Sequence, residues 1–252
     1  HEDCRRQRQM CIRDRVMART GKLTSLVAEE DVKLSQRRSL STETADKLRE
    51  LILLEKLPPG MHIPERDLSE ALGISRTPMR EALRILEAEG LVDHTPTRRS
   101  RVANPSVEEL SQSMKVLATR EALGGELACT FADEAQLKAI SKLNQRMHKE
   151  SGNASSIDFF KTDMNFHTSI IAASGNAALM DTHAKYNARL WRARFLSSRH
   201  MLGRTTTLQQ HQDITDSLLA RNAAQAAAAM RAHIETAIEN LVTQSDEQET
   251  SE

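Results

Sequence analysis

The chain has 252 residues, room for two ordinary domains, with no net formal charge and only 3% aromatic residues. Scarce aromatics beside abundant alanine and leucine favour helix over sheet. No apolar run reaches the length of a membrane span, and no segment has the apolar centre and small-residue cleavage site of a secretory leader. Cys4, Cys11 and Cys129 are odd in number and lack disulfide or ligand spacing, so a disulfide scaffold is set aside and a reducing cytoplasm is expected.

Residues 1–43 carry 10 basic and 7 acidic side chains without sustained periodicity, and disorder or fraying is expected there. Their opening run, to Arg15, reads unlike its surroundings, with Met17 as an alternative start. A helix is expected over about 44–56, burying Leu48, Leu51, Ile52 and Leu54, before a Pro58-Pro59-Gly60 turn. Residues 62–92 then read as a helix-turn-helix. A first helix runs from about Glu65 to Leu72, with Leu68, Ala71 and Leu72 on its apolar face. Gly73 suits the left-handed turn that follows. The second helix has Thr77 placed to cap it and Pro78 in its first turn, where a missing N–H costs nothing. Met79, Ala82, Leu83 and Leu86 recur at helical spacing and face a core, which leaves Arg76, Arg80 and Arg84 towards the opposite side. A recognition helix enters the major groove by its N-terminal residues, so Arg76 and Arg80 fall where base edges and phosphates lie. Residues 44–103 have 10 basic and 10 acidic side chains, so any field for DNA comes from charge segregated by face. A hairpin around Thr95–Val102 and a linker, Ala103-Asn104-Pro105-Ser106, close this domain.

From residue 106 only helices are expected: about 106–130, 133–150, 155–174, 176–200, 204–220 and 222–244. Ser151-Gly152-Asn153, Ser174-Gly175-Asn176, Gly203 and Arg221-Asn222 mark breaks, and Gly124-Gly125 is expected to kink or split the first helix. The fold class is therefore mostly α: a winged helix-turn-helix over 44–103, an antiparallel helical bundle over 104–245, and a tail over 246–252.

Asp163 and His167 are four apart and share one helix face. His211 and His233 lie about equally far on either side of the Arg221-Asn222 turn, so antiparallel packing brings them to one level. Three imidazoles and a carboxylate suit a divalent transition metal: zinc first by ligand type, with nickel and manganese also compatible. Unrelated surface or core histidines are the plainer reading of the same spacing. His148, His183 and His200 have no matching partners and read as solvated, while Arg189, Arg192 and Arg194, around Trp191, read as surface or interface charge.

The motifs P58-P59-G60, P64-E65-R66-D67-L68, L72-G73-I74-S75-R76-T77-P78, R80-E81-A82-L83 and E89-G90-L91-V92 resemble the winged-helix domain of GntR-superfamily regulators. That resemblance implies DNA contacts by Arg66, Arg76 and Arg80, helped by Thr77. The family's wing tip usually carries a glycine. Here T97-R98-R99-S100-R101 has none, and Arg98 and Arg99 are expected to grip phosphate or a narrow minor groove instead. D163-x-x-F166-H167, S174-G175-N176, H211-Q212-x-I214 and A228-A229-M230-R231-A232-H233 resemble the FCD domain of the FadR branch, with the helix count of the VanR-like subgroup. The resemblance implies a homodimer, metal held by Asp163, His167, His211 and His233, and a small carboxylate effector. Arg120 matches an arginine that commonly faces that effector, and no acyl-CoA ligand is expected. The expectation is a bacterial, cytoplasmic, non-enzymatic regulator, a repressor by preference, acting on a pseudo-palindromic double-stranded operator. A metal-responsive regulator and a metalloenzyme fused to a DNA-binding module are the alternatives. No residue is placed as a separate general base, which counts against the enzyme.

Overall fold

The computed structural model describes residues 39–97, 99–152, 154–199 and 201–249. The reading of residues 1–38 as disordered, and the expectations for Cys4, Cys11, Arg98 and His200, lie outside these residues. Leu40–Glu252 form one compact unit, and among its described residues no helix is long and apolar enough to cross a membrane.

The N-terminal part packs three helices against a two-stranded wing. Helix α1 is Leu40–Leu53, α2 is Glu65–Ala71 and α3 is Arg76–Ala88. Strands β1 (Val92–His94) and β2 (Ser100–Val102) pair antiparallel, with Val92 opposite Val102 and His94 opposite Ser100. Met79, Ala82, Leu83 and Leu86 of α3 are all buried, against Leu48 and Ile52 of α1 and Val92 and Val102 of the wing. Gly73 holds φ +66° in the turn between α2 and α3, a conformation that costs a side-chain-bearing residue but not glycine.

Several local expectations are corrected. Helix α1 starts at Leu40 rather than near Thr44, and it buries Leu53 while Leu54 is 44% exposed. Leu53 is claimed by a second layer of packing that the α1 pattern alone does not show. Ala71 is exposed, and the buried residue of α2 is Ser69, whose hydroxyl donates back to the Glu65 carbonyl at 2.7 Å. The cap of α3 is Ser75, not Thr77, which lies inside the first turn.

The C-terminal part has six helices among the described residues: α4 (Val107–Phe131), α5 (Glu134–Glu150), α6 (Ser156–Ala173), α7 (Ala177–Arg199), α8 (Met201–Leu219) and α9 (Ala223–Glu249). Reciprocal capping boxes start α4 (Ser106 with Glu109) and α5 (Asp133 with Gln136), leaving few orphan amides at these ends. Gly203 lies within α8 rather than at a break. Arg221 anchors the α8–α9 turn to the end of α4, donating to the carbonyls of Cys129 at 3.1 Å and Ala132 at 3.0 Å.

Gly124 and Gly125 neither kink nor split α4, which is continuous. They are there because neighbours come close. A Cβ on Gly124 would sit 2.4 Å from Ile171 Cδ1, and one on Gly125 would sit 3.0 Å from Met230 Cγ and 3.3 Å from the Ala226 carbonyl oxygen. Gly125→Val should therefore push α9 off α4 and cost about 1–3 kcal/mol of stability, measured by denaturant unfolding. A variant as stable as the parent would show slack in that crossing.

Helix α6 is buried on most sides. One side, with Phe159, Phe166 and Ile170, belongs to the main core. Another, with Phe160 and Met164, joins Phe195 of α7 and receives Leu53 from α1. This seam joins the two parts, and polar contacts ring it: Arg192 to Glu55 at 2.8 Å, Lys161 to Glu50, and Arg49 over Trp191 at 5.5 Å.

Candidate metal centre and DNA-reading face

Asp163 and His167 leave α6 one turn apart, His211 comes from α8 and His233 from α9. Each offers a ligand atom, and all four such atoms lie within 4.8 Å of one another. His211 Nε2 is 3.1 Å and His167 Nε2 is 3.3 Å from Asp163 Oδ1. The rings of His211 and His233 approach to 4.6 Å between centroids, those of His167 and His233 to 4.9 Å. All four residues are buried. Asp163 Oδ1 and both nitrogens of His167 and His211 make no aligned hydrogen bond among the described residues, although they crowd together. Buried polar atoms left in this condition are costly, and a divalent cation at their centre would satisfy the Oδ1 and Nε2 atoms together.

The electrostatics suit a cation. Burial opposes the Asp163 carboxylate, but its close polar contacts with His167 and His211 prevail, and its pKa is well below the ordinary carboxylate range. Burial, then the neighbouring imidazoles, pushes the pKa of His233 well below its ordinary value, and burial also lowers that of His211. Burial thus favours the neutral form of those two rings, the form that offers a lone pair to a metal, whereas at His167 burial is outweighed by the charge of Glu121 and the contact with Asp163, and its pKa is raised.

The surrounding groups orient the ligands. Gln210 accepts from His233 Nδ1 at 3.1 Å and donates to Thr236 at 2.9 Å, which leaves His233 Nε2 for the cluster. Glu121 of α4 is fully buried, with Oε2 2.7 Å from His167 Nδ1 and Oε1 contacting Arg194 at 2.7 Å and His183 at 3.1 Å. The contact with His167 is one of charge, off the line of the ring N–H. Despite burial, the charges of Arg194 and His167 keep the Glu121 pKa well below its usual value. A carboxylate behind a ligating imidazole raises its basicity and fixes its orientation. Glu121→Gln should weaken metal binding by about 10–100-fold, read by competition with a chelator. An unchanged affinity would remove Glu121 from this role.

Glu121 was not among the residues singled out from sequence, and two others are corrected. His183 is not solvated but 1% exposed, against Glu121. Arg194 is not surface charge but 4% exposed, with one amino nitrogen also donating to Asn187 at 2.8 Å. It lines a small cavity, about 20 Å³, beside Asp163 and His233. Arg120 is not brought to that cavity. Its guanidinium stacks over Tyr186 at 4.0 Å, on a separate open cleft with Leu123 and Leu179. His148 is exposed, as expected.

In the N-terminal part Arg66, Arg76, Thr77, Arg80 and Arg99 are all exposed. Glu65 shows that several of them share a face. Its carboxylate accepts from Ser100 at 3.1 Å, lies 3.6 Å from Arg80, and borders a cleft with Arg99. The start of α2, the reading helix α3 and the wing therefore meet there. Arg101, by contrast, is paired with Asp93 at 2.9 Å within the wing.

A winged helix-turn-helix joined to a helical bundle with a buried His/Asp cluster defines a ligand-responsive DNA-binding regulator. The family profiles agree. Residues 40–102 match "Bacterial regulatory proteins, gntR family" and residues 113–236 match "FCD domain". The chain is a DNA-binding transcription regulator of the GntR family with an FCD effector-binding domain. It is 29% identical over 200 residues to an HTH-type transcriptional regulator in an unstable DNA locus of Streptomyces ambofaciens, covering 77% of this chain and 82% of that one. It is also 29% identical over 229 residues to the Glc operon transcriptional activator of Escherichia coli, covering 82% and 90% respectively. These relatives are named as transcriptional regulators. The fold is shared with E. coli McbR/YncC, at a TM-score of 0.72 and 18% identity over 82% of this chain and 99% of that one.

Proposed function

We propose that this regulator carries one divalent cation on Asp163, His167, His211 and His233, and that a small carboxylate completing the coordination sphere controls operator affinity. The observation that carries the reading is the convergence of four buried ligand atoms within 4.8 Å. Zinc is the first choice for three imidazoles and one carboxylate, and nickel and manganese also suit the donors. Four protein ligands leave room for an exogenous oxygen on such an ion. When bound, the metal supplies a Lewis-acidic point for the carboxylate, while the chain supplies orientation through Glu121 and Gln210.

The winged helix would bind a pseudo-palindromic operator as a homodimer of the FadR branch and VanR-like subgroup. Arg66, Arg76, Thr77 and Arg80 would enter or flank the major groove, with Arg98 and Arg99 on the wing. Occupancy across a promoter excludes polymerase, so repression is the expected sign. The Glc operon relative is named an activator, and operator position decides between the two. An effector changes occupancy only if it binds the DNA-competent and incompetent states with different affinity.

Metal analysis of purified protein, paired with operator binding before and after chelation and with added acids, tests this. About one metal per chain, and an acid that shifts operator affinity only when metal is present, is the expected result. Operator affinity that follows metal alone would replace the acid with the ion as the signal. Absence of stoichiometric metal would end the reading.

A further inference from the structure

Glu65 has the wrong charge for its place. It opens α2 where the three DNA-facing elements meet, and a carboxylate there opposes phosphate. An acid in the first turn of a helix complements the helix dipole, but that role asks for no reach beyond α2. Glu65 reaches two other elements at once. Its Oε1 accepts from the Ser100 hydroxyl of β2 at 3.1 Å, and its Oε2 lies 3.6 Å from Nε of Arg80 on α3. Ser100 is buried, so the first contact is fixed in the wing. The second is loose, with the Arg80 side chain 68% and the Glu65 side chain 35% exposed. The cleft beside Glu65, about 380 Å³, is shared with His62 and Arg99.

The edge of the guanidinium that Glu65 faces decides what remains for DNA. Arginine carries its N–H donors in a rigid fork, and a carboxylate on the Nε edge leaves the outer pair of terminal nitrogens for a second acceptor. Guanine, with O6 and N7 side by side, takes such a pair. An exposed arginine without an anchor also finds phosphates, which carry full charge and no sequence information. A carboxylate beside Arg80 biases that choice twice. It holds the Nε edge, and it repels the phosphate towards which the side chain would otherwise swing. The contact is weak in water and strengthens as a duplex displaces water from the cleft.

We infer that Glu65 is a positioning residue for sequence reading: anchored to the wing through Ser100, it aims Arg80 at a base edge, guanine by preference, and raises discrimination while lowering bare affinity for DNA. The inference rests on the proposal that α3 is the reading helix and is independent of the metal.

The test uses full-length protein and two probes: the duplex that it selects from a randomised pool, and a shuffled duplex of the same length and composition. Glu65→Gln keeps an acceptor for Ser100 and removes the charge. Its affinity for the shuffled duplex should hold or rise, while the ratio of selected to shuffled affinity falls by about fivefold or more. Loss of a merely structural tie would instead weaken both duplexes together. The double variant keeps the outcome independent of folding effects. Added to Arg80→Ala, Glu65→Gln should change the ratio by less than about twofold, because the side chain it aims is gone. An unchanged ratio in Glu65→Gln, parallel losses on both duplexes, or the same fall in ratio with and without Arg80 would overturn the inference and leave α3 in the groove. Full affinity of Arg80→Ala for the selected duplex would remove both the inference and the reading-helix proposal beneath it.

Discussion

His211→Ala should abolish metal binding at physiological concentrations, while operator binding by the metal-free protein persists. His211 Nε2 is 3.1 Å from Asp163, and its ring is 4.6 Å from that of His233, so it stands between two other ligands. Losing groups behind the ligands costs about 10–100-fold in affinity, and losing a ligand itself should cost more. The metal-dependent rise in thermal stability should vanish with it, because a ligand that binds only the folded state stabilises in proportion to the logarithm of its saturation. Folding without metal should survive. The ring makes no aligned hydrogen bond of its own, and the core of the DNA-binding part, built on Leu48, Ile52, Met79 and Leu86, lies apart from it. Calorimetric titration of metal into the variant is the check, with operator binding as the control. Stoichiometric metal in His211→Ala would exclude His211 from the site.

Much of this architecture is legible in the sequence, and the failures share a cause. Helical spacing marks the buried face of α3, Met79, Ala82, Leu83 and Leu86, because that helix has one dry side and one wet one. The step of four from Asp163 to His167, and the near-equal legs around Arg221-Asn222, fix heights along helices and so anticipate which residues converge. Glu121, His183 and Arg194 escape because amphipathic logic assigns charge to solvent. Yet Glu121 falls within an apolar stripe, Met114, Leu117, Ala118, Ala122, Ala128 and Cys129, that is otherwise continuous. A carboxylate in that register is rarely buried without a partner. His183, Asn187, Arg194 and Ser197 likewise recur at helical spacing on α7, and all four are buried. A polar stripe facing inward is the sequence trace of a network that the helix alone cannot satisfy. Leu53 is hidden for a different reason. Its partners, Phe160, Met164 and Phe195, lie more than a hundred residues away. They adjoin Asp163 and Arg194 in the chain, so the candidate ligand site and the seam to the DNA-binding part are built from the same turns of α6 and α7.

Arg80→Ala should weaken specific operator binding by about 1–3 kcal/mol, roughly five- to 150-fold, with metal content unchanged. Arg80 stands on the exposed side of α3, one turn from its start. Its ion pair with Glu65 is 3.6 Å long and the side chain is 68% exposed, so little is lost inside the protein when it is removed. The cost must then appear in DNA binding. Arg99→Ala offers the contrast. On the wing, a phosphate contact neutralises backbone charge without reading sequence, so its loss should weaken all duplexes alike and reduce the salt slope by about one. Arg80→Ala should instead narrow the gap between operator and unrelated DNA. Binding isotherms on both duplexes across a salt series separate the two. Equal losses on operator and random DNA for Arg80→Ala would make it a backbone clamp and move sequence reading to Arg76 and its neighbours. Full operator affinity would take α3 out of the groove.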